Sequence, residues 1–265
     1  MAEPENGLKI RARFAARGAE LLAATAAAGI AGSIAQRWLV EPRRDEQIER
    51  YRRWWAGRML HAAGAQVELA RGAPGPAAGP RLVVANHRSM LDTPLLLRLF
   101  GGHFLSQIEV SRMPVLGTAA RASGAVFVDR ANPNSRVSAI RAMRRLLDAG
   151  RTLIVFPEGT TFLGDEVRPF QTGAFILPPA VEVIPVGLAY DHERAEFGDE
   201  TLAEHATRVA GRPQTRVTVA IGAPLPLTAR GRGAAQTLAT QAREVVQALV
   251  AEARSANPRR GQEEP

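Results

Sequence analysis

The sequence predicts an α/β protein with a largely parallel central sheet flanked by helices and preceded by an N-terminal helical hairpin. After Gly64, short apolar runs alternate with helical segments, which is the pattern of a parallel sheet with crossover helices. Before Gly64, the apolar residues recur with helical spacing instead. The predicted strands lie at 82–85, 104–110, 125–128, 152–156, 183–189 and 216–221.

The predicted hairpin consists of an alanine-rich helix and a second helix that begins near Arg44, with a break at Glu41-Pro42. In the second helix, apolar side chains at three- and four-residue steps form a stripe among arginines. Such a stripe is typical both of a helix docked on a core and of a helix lying at a membrane interface, and both roles stay open at this point. The stripe comprises Ile48, Tyr51, Trp55 and Met59.

The first helix contains an uncharged run at 21–36, which is about 16 residues long, whereas a spanning helix needs roughly 20. Arginines and Trp38 flank the run, which favours anchoring at the headgroup level of a bilayer. Glu3, Glu5 and Glu20 disfavour a signal peptide. The sequence therefore predicts peripheral or monotopic membrane attachment.

Two helices are predicted between and after the strands. One covers about 135–148, where apolar residues keep helical spacing and Gly150 ends the helix, and the other covers roughly 234–254. The polar, weakly periodic stretch 190–214 predicts a variable excursion from the sheet. The segment 256–265, rich in proline, arginine and glutamate, predicts a disordered tail.

Composition limits the possible functions. The 265 residues include no cysteine, which excludes disulfides, thiolate metal sites and cysteine nucleophiles. A net charge of +8 indicates a polyanionic partner, either anionic lipid, a phosphorylated substrate or nucleic acid. Nucleic acid is disfavoured because aromatic residues do not interleave with a basic stripe. Lys9 is the only lysine, so a Walker phosphate loop is excluded and no nucleotide cofactor is indicated.

His87 and Asp92 follow the predicted strand 82–85. On one helix their side chains would lie about 140° apart, so they can meet only if His87 lies on the strand-exit turn and Asp92 opens the next helix. Pro94 supports this placement, because proline is tolerated in a first helical turn. An aspartate that holds one ring nitrogen leaves the other to take a proton from a hydroxyl, so the pair is a candidate general-base dyad. The alternative is an N-cap and a hydrogen-bonded loop histidine.

Two other predicted strands end in charged residues. The strand at 125–128 is followed by Arg130, and the strand at 152–156 by Glu158. Because the carboxyl ends of parallel strands line one edge of a sheet, we expect both side chains to face the same crevice as His87. The alternatives are an ordinary surface arginine and a glutamate at a helix N-terminus.

Together, four sequence blocks resemble the 1-acyl-sn-glycerol-3-phosphate acyltransferases, or PlsC-like lysophospholipid acyltransferases, of the glycerolipid acyltransferase superfamily. The blocks follow one another in the family's order and with family-like gaps, and they cover about 82–190. The resemblance implies the glycerolipid acyltransferase fold. The blocks are 86–92, 124–130, the Phe-Pro-Glu-Gly-Thr of 156–160 and the Val-Ile-Pro-Val of 183–186.

The resemblance implies that His87 is the catalytic base and that Asp92 orients it. It further implies that Arg130 binds phosphate and that Glu158 with Gly159 belongs to acceptor binding. The same blocks add three candidate substrate-binding residues, Asn86, Ser89 and Thr160.

One position departs from the family pattern. The family often has a basic residue some seven positions before the proline of a Pro-x-x-Gly block, and here that position is Gln107. A neutral amide can still donate a hydrogen bond to an oxyanion, but more weakly than a cation. The group that stabilises the tetrahedral intermediate therefore stays open.

The expected reaction moves a fatty acyl group from acyl-ACP or acyl-CoA to the free hydroxyl of a lysophospholipid. The resemblance makes 1-acylglycerol-3-phosphate the default acceptor, which would give phosphatidate, and leaves other lysolipids such as lyso-ornithine lipid as alternatives. No cofactor or metal is expected. The expected location is the cytoplasmic face of the inner membrane, on anionic lipid. The expected units are a membrane-associating hairpin (1–63), a catalytic domain (64–255) and the tail (256–265).

Two other functions compete with acyl transfer. A thioesterase-type hydrolase would activate water with the same base, but the chain contains no Gly-x-Ser-x-Gly elbow. A non-catalytic protein that binds anionic lipid would explain the charge alone. Ser89 is conceivable as a nucleophile, but turn or cap hydrogen bonding suits it better, so direct transfer without an acyl-enzyme is expected.

Overall fold

The structure is a computed structural model that describes residues 4–258 except 76, 78, 113–116, 119, 122–123, 130–131, 179 and 228–232, without the side chains of 4–11 and 133. The described helices are α1 (Pro4–Trp38), α2 (Arg43–Ala62), α3 (Asp92–Phe100), α4 (Ile108–Ser111), α5 (Pro133–Asp148), α6 (Leu202–Gly211) and α7 (Ala234–Ala256). The strands are β1 (Ala65–Arg71), β2 (Arg81–Ala85), β3 (His103–Gln107), β4 (Val126–Val128), β5 (Thr152–Val155), β6 (Glu182–Tyr190) and β7 (Thr215–Ile221).

The strands form one sheet in the order β1-β7-β6-β2-β5-β3-β4. Neighbouring strands are parallel except at β6 and β7, which pair antiparallel. The prediction of a largely parallel sheet flanked by helices is therefore confirmed. Strand β2 is central and buried along its whole length, which explains why it shows as a continuous apolar run in the sequence.

Alternate residues of β2 face two separate cores. Val83 and Ala85 pack in a cluster with residues of α2 and α3, whereas Leu82 and Val84 pack in a cluster with residues of α5 and α7. This alternation is the geometry of a strand, in which successive side chains point to opposite faces. The sheet is consequently covered on both faces.

Three local predictions need correction. Strand β1 was not expected, because it is an exposed edge strand and shows no apolar run. The run 104–110 divides into β3 and the short helix α4. The stretch 190–214 is more than a variable excursion, since it contains α6, which begins with a capping box formed by Thr201 and Glu204.

The two N-terminal helices pack against each other and against α6. Trp55 of α2 donates to the hydroxyl of Thr25 in α1 at 3.0 Å, and Arg58 pairs with Glu20. Arg17 donates to backbone carbonyls at the end of α6, including that of Ala210 at 2.7 Å. The first half of α1 is thus held to the rest of the protein by polar contacts.

The second half of α1 presents apolar side chains to the outside. Residues Ala12–Trp38 form a 27-residue stretch that is long and apolar enough to cross a membrane, a property shared by many core helices and signal sequences. This stretch exceeds the uncharged run at 21–36 because it extends past charged residues. The exposed apolar residues in the second half of α1 and directly after it include Ile30, Ile34, Trp38 and Val40.

Gly187 permits the close approach of β6 and α7. A Cβ atom at this position would lie 2.4 Å from the backbone carbon of Leu249 and 2.4 Å from the backbone nitrogen of Val250. Backbone atoms cannot rotate away as a side chain can, so any larger residue would force the strand and the helix apart.

We predict that Gly187→Ala destabilises the protein by about 1–3 kcal/mol, because overpacking a tight interior contact costs that much. The measurement is thermal unfolding of the detergent-solubilised protein, with an expected fall in Tm of several degrees, at roughly 2–4 °C per kcal/mol. Gly75→Ala is the matched control, because a Cβ atom there meets nothing within 4 Å. Equal midpoints for the two variants would contradict the prediction.

Candidate active site

His87 lies on the turn that follows β2, and Asp92 is the first residue of α3. The Nδ1 atom of His87 lies 2.8 Å from Oδ2 of Asp92. The imidazole stacks on Phe156 with ring centroids 4.1 Å apart and an interplanar angle of 12°. These two contacts fix the ring, and Nε2 has no hydrogen-bond partner among the described residues.

The Asp92 carboxylate is completely buried and has four hydrogen-bond donors. Oδ2 accepts from the backbone N–H groups of Arg88 at 2.6 Å and Ser89 at 2.8 Å, besides its contact with His87. Oδ1 accepts from the phenol of Tyr190 at 2.6 Å. Both carboxylate oxygens are therefore engaged by donors of the protein itself.

A second buried carboxylate, that of Glu158, joins the loops after β2 and β5. It accepts from the backbone N–H of His87 at 2.7 Å and from that of Arg168 at 2.8 Å. It also pairs with the Arg88 guanidinium, with Nη1 at 2.9 Å from Oε2. The Glu158 side chain is therefore fully engaged inside the protein. It stands in a turn, not at the start of a helix as the alternative supposed.

A cavity of about 680 Å³ opens beside His87. Most of its wall is apolar, and the sheet and the helices α2 and α5 contribute to it. The polar part of the wall includes Gln107, Arg136, Thr160 and Asp199. The apolar residues on the wall include Trp55, Met59, Phe104, Ile140, Met143 and Phe156.

The other predicted site residues have different surroundings. Asn86 is buried and exchanges two hydrogen bonds with the backbone of Leu188, which ties β2 to β6. Gly159 has φ +86° and lines the cavity, and Thr160 lies beside it. Gln107 lies at the end of β3 and also lines the cavity. Arg130 lies outside the described residues, so its position is not described.

Ser89 is completely buried and does not face the cavity. Its hydroxyl lies 3.2 Å from Nε2 of His205, and the backbone N–H of Met90 also points at that nitrogen, at 3.3 Å. On the other side of the ring, Nδ1 contacts Glu200 at 2.9 Å. Burial lowers the pKa of His205, and Arg208 acts in the same direction against the hydrogen bond with Glu200. The neutral ring thus holds α6 against the His87 loop.

Sequence reasoning assigned no role to Tyr190, His205 or Arg88. Tyr190 and His205 are 98 and 113 residues from Asp92 in the chain (190 − 92 and 205 − 92), so no local spacing relates them to it. Arg88 lies inside the first block, and its position next to His87 was the one feature of the sequence that could have pointed to a role for it. Burial of an arginine is rare unless it is paired, and here the partner is Glu158.

The arrangement is suited to proton transfer at an apolar surface. Asp92 holds Nδ1 of His87, which leaves Nε2 available to a hydroxyl in the cavity. Within the described part of the chain, no group of three or more histidine, aspartate or glutamate side chains is placed to hold a metal ion.

The sequence is similar to those of several known proteins. A profile of the family described as Acyltransferase matches residues 66–189. The chain is similar to the lyso-ornithine lipid O-acyltransferase of Pseudomonas aeruginosa, with 34% identity over 206 residues, which are 75% of this chain and 77% of the relative. It is also similar to the chloroplastic 1-acyl-sn-glycerol-3-phosphate acyltransferase BAT2 of Brassica napus, with 32% identity over 48% of this chain and 38% of the relative.

The fold is similar to a solved structure. The crystal structure of the 1-acyl-sn-glycerophosphate acyltransferase PlsC from Thermotoga maritima superposes with a TM-score of 0.67 and covers 95% of this chain and 97% of its own. Sequence identity to it is 22%, so this likeness concerns the fold. The profile match and the long match to the Pseudomonas relative carry the family assignment. The chain therefore belongs to the PlsC-like lysophospholipid acyltransferase family and is an acyltransferase.

Proposed function

We propose that the enzyme transfers a fatty acyl group from a thioester to the free hydroxyl of a single-chain lipid, with His87 as the general base. The observation that carries this proposal is the His87–Asp92 contact at the wall of an apolar cavity. Nε2 would accept the proton of the acceptor hydroxyl while its oxygen attacks the thioester carbonyl. When the tetrahedral intermediate collapses, the thiolate leaves and takes the proton from Nε2.

The proposed transfer is direct, without an acyl-enzyme. The chain contains no cysteine, and Ser89 is completely buried away from the cavity. The donor would be acyl-ACP or acyl-CoA, both of which leave as thiols. The acyl chain would lie along the apolar wall of the cavity, since burial of each methylene group contributes roughly 0.8 kcal/mol.

For the acceptor, we favour lyso-ornithine lipid. The Pseudomonas relative, whose name carries this acceptor, matches three quarters of both chains, whereas the Brassica relative matches less than half of either. The cavity wall also carries the carboxylates of Glu109 and Asp199 together with Arg136. Such a mixed wall suits a headgroup with an ammonium and a carboxylate, while a phosphate dianion would be repelled by the carboxylates.

The second candidate acceptor is 1-acylglycerol-3-phosphate. It is favoured by Arg130, which occupies the position of the family's phosphate-binding residue and can hold a phosphate through two hydrogen bonds. Glu158 supports either acceptor indirectly, since its carboxylate is occupied by internal donors and holds the backbone of His87.

We predict that His87→Ala lowers kcat about 100-fold or more, because general-base catalysis contributes that much. Asp92→Asn should cost no more than His87→Ala. The amide oxygen of the new asparagine can keep the backbone hydrogen bonds of the loop, and its NH2 group can face the Tyr190 oxygen. The negative charge that stabilises the imidazolium is lost, however. Initial rates of ester formation and a thermal unfolding scan of each variant are the measurements. Activity of folded His87→Ala within a few-fold of wild type would remove His87 from the mechanism.

We predict that the purified enzyme acylates lyso-ornithine lipid with a kcat/KM about tenfold or more above that for 1-acylglycerol-3-phosphate, a difference of roughly 1.4 kcal/mol. The assay presents both acceptors together in vesicles, with acyl-ACP or acyl-CoA as donor, and detects the products by mass spectrometry. Arg130→Ala should raise the KM for the phosphate-bearing acceptor more than that for lyso-ornithine lipid.

Three other results of this assay would each change the proposal. Preferred formation of phosphatidate would replace the favoured acceptor by the second candidate. Release of free fatty acid without any ester would identify a hydrolase. Equal effects of Arg130→Ala on both acceptors and on the donor would mean that Arg130 is an ordinary surface arginine.

We also propose that α1 attaches the enzyme to anionic membranes at the cytoplasmic face, where acyl thioesters are available. The second half of α1 and the neighbouring face of α2 present apolar side chains beside arginines, a composition that suits the headgroup layer. Trp38 is 74% exposed and Trp54 is 44% exposed, so both rings are free to enter that layer.

We predict that the triple change Ile30→Ser, Ile34→Ser and Trp38→Ser weakens cosedimentation with anionic vesicles at least tenfold. The reason is that membrane binding loses roughly 25 cal/mol of favourable free energy for each Å² of apolar surface that is no longer buried in the bilayer. Activity on vesicle-embedded acceptor should fall more than activity on detergent-dispersed acceptor. The control is Leu69→Ser with Val137→Ser, which removes exposed apolar side chains elsewhere. Unchanged sedimentation of the triple variant would place the anchor outside α1.

A further inference from the structure

Tyr190 lies directly behind the Asp92 carboxylate. It is the last residue of β6 and is completely buried, and its hydroxyl donates to Oδ1 of Asp92 at 2.6 Å. The three other donors to this carboxylate all reach Oδ2. Among the described residues, Tyr190 is therefore the one hydrogen-bond donor to Oδ1.

We propose that Tyr190 is a positioning residue for the reaction, which holds the Asp92 carboxylate in the plane that brings Oδ2 to Nδ1 of His87. The proposal rests on the proposed role of His87 as the base. Donors on Oδ2 alone would let the carboxylate turn about its Cβ–Cγ bond, whereas a donor on each oxygen fixes that rotation. Tyr190 acts on the substrate only through Asp92 and His87.

The phenol keeps its proton and therefore stays a hydrogen-bond donor. Burial raises the pKa of Tyr190 well above its usual range, and the adjacent Asp92 carboxylate raises it further. Its backbone is fixed as well, because the Tyr190 carbonyl accepts from Arg254 of α7 at 2.5 Å. On β7, Val217 is its partner in the strand register. The Tyr190 backbone is thus held by β7 and α7, two elements that are distant in sequence from Asp92.

A purely structural role makes a different prediction. Tyr190 also packs in the core cluster between the sheet and the helices α2 and α3. If packing were its whole function, Tyr190→Phe would leave the ring in place and affect only stability. Loss of the hydroxyl would then lower the amount of folded enzyme without changing the kcat of the enzyme that remains folded.

The experiment measures kcat and KM for both substrates with the full-length Tyr190→Phe enzyme, together with its thermal unfolding. We expect kcat to fall about 3- to 10-fold, with each KM changed less than about twofold, because the lost bond orients the base and binds no substrate. In the Asp92→Asn background, the same change should have a smaller effect.

The matched control is Thr218→Val. It removes another buried hydroxyl of the same sheet, one residue along the register from Tyr190, that has no hydrogen-bond partner in the described structure. A kcat of folded Tyr190→Phe equal to that of Thr218→Val would overturn the positioning role while leaving His87 as the base. Full activity of His87→Ala would overturn both the base and the positioning role.

Discussion

The Asp92 carboxylate organises the active site through the hydrogen bonds that it accepts. Burial of an unpaired charge costs several kcal/mol, so this side chain is stable in its position only because four donors converge on it. Two of those donors are backbone N–H groups of the turn after β2, which must therefore keep one shape. The same shape places His87 at the cavity wall. The orientation of the base is thus a consequence of satisfying a buried charge.

The second buried charge extends this constraint across the sheet edge. Arg88 and Glu158 come from the loops after β2 and β5, which are neighbouring parallel strands. Glu158 also holds the backbone N–H of His87, so the ion pair and the dyad share one short stretch of chain. A guanidinium with fixed geometry and a carboxylate with backbone donors offset the cost of desolvation. The two loops are consequently joined by buried polar contacts.

Local spacing was sufficient to predict how His87 and Asp92 can meet, because they do so only when His87 lies on the strand-exit turn and Asp92 opens the next helix. Their assignment as a catalytic dyad depended on the resemblance of the four blocks. The fold class also followed from the alternation of apolar runs and helices. Tyr190 and His205 could not be found in this way, since they reach the His87 loop through tertiary packing. Strand β1 escaped prediction because an exposed edge strand needs no apolar run.

The apolar cavity beside His87 bears on the choice between acyl transfer and hydrolysis. A lipid hydroxyl enters with its hydrocarbon chain, so an apolar wall beside His87 favours it over water. The His87 ring is stacked on Phe156, and its side chain is only 21% exposed, which further limits the access of solvent to Nε2.

Trp55 and Met59 belong both to α2 and to the cavity wall. The stripe of α2 therefore packs on the core at these two residues, and its role at a membrane interface stays a prediction. The same helix exposes Trp54, which belongs to the surface that we propose lies in the headgroup layer.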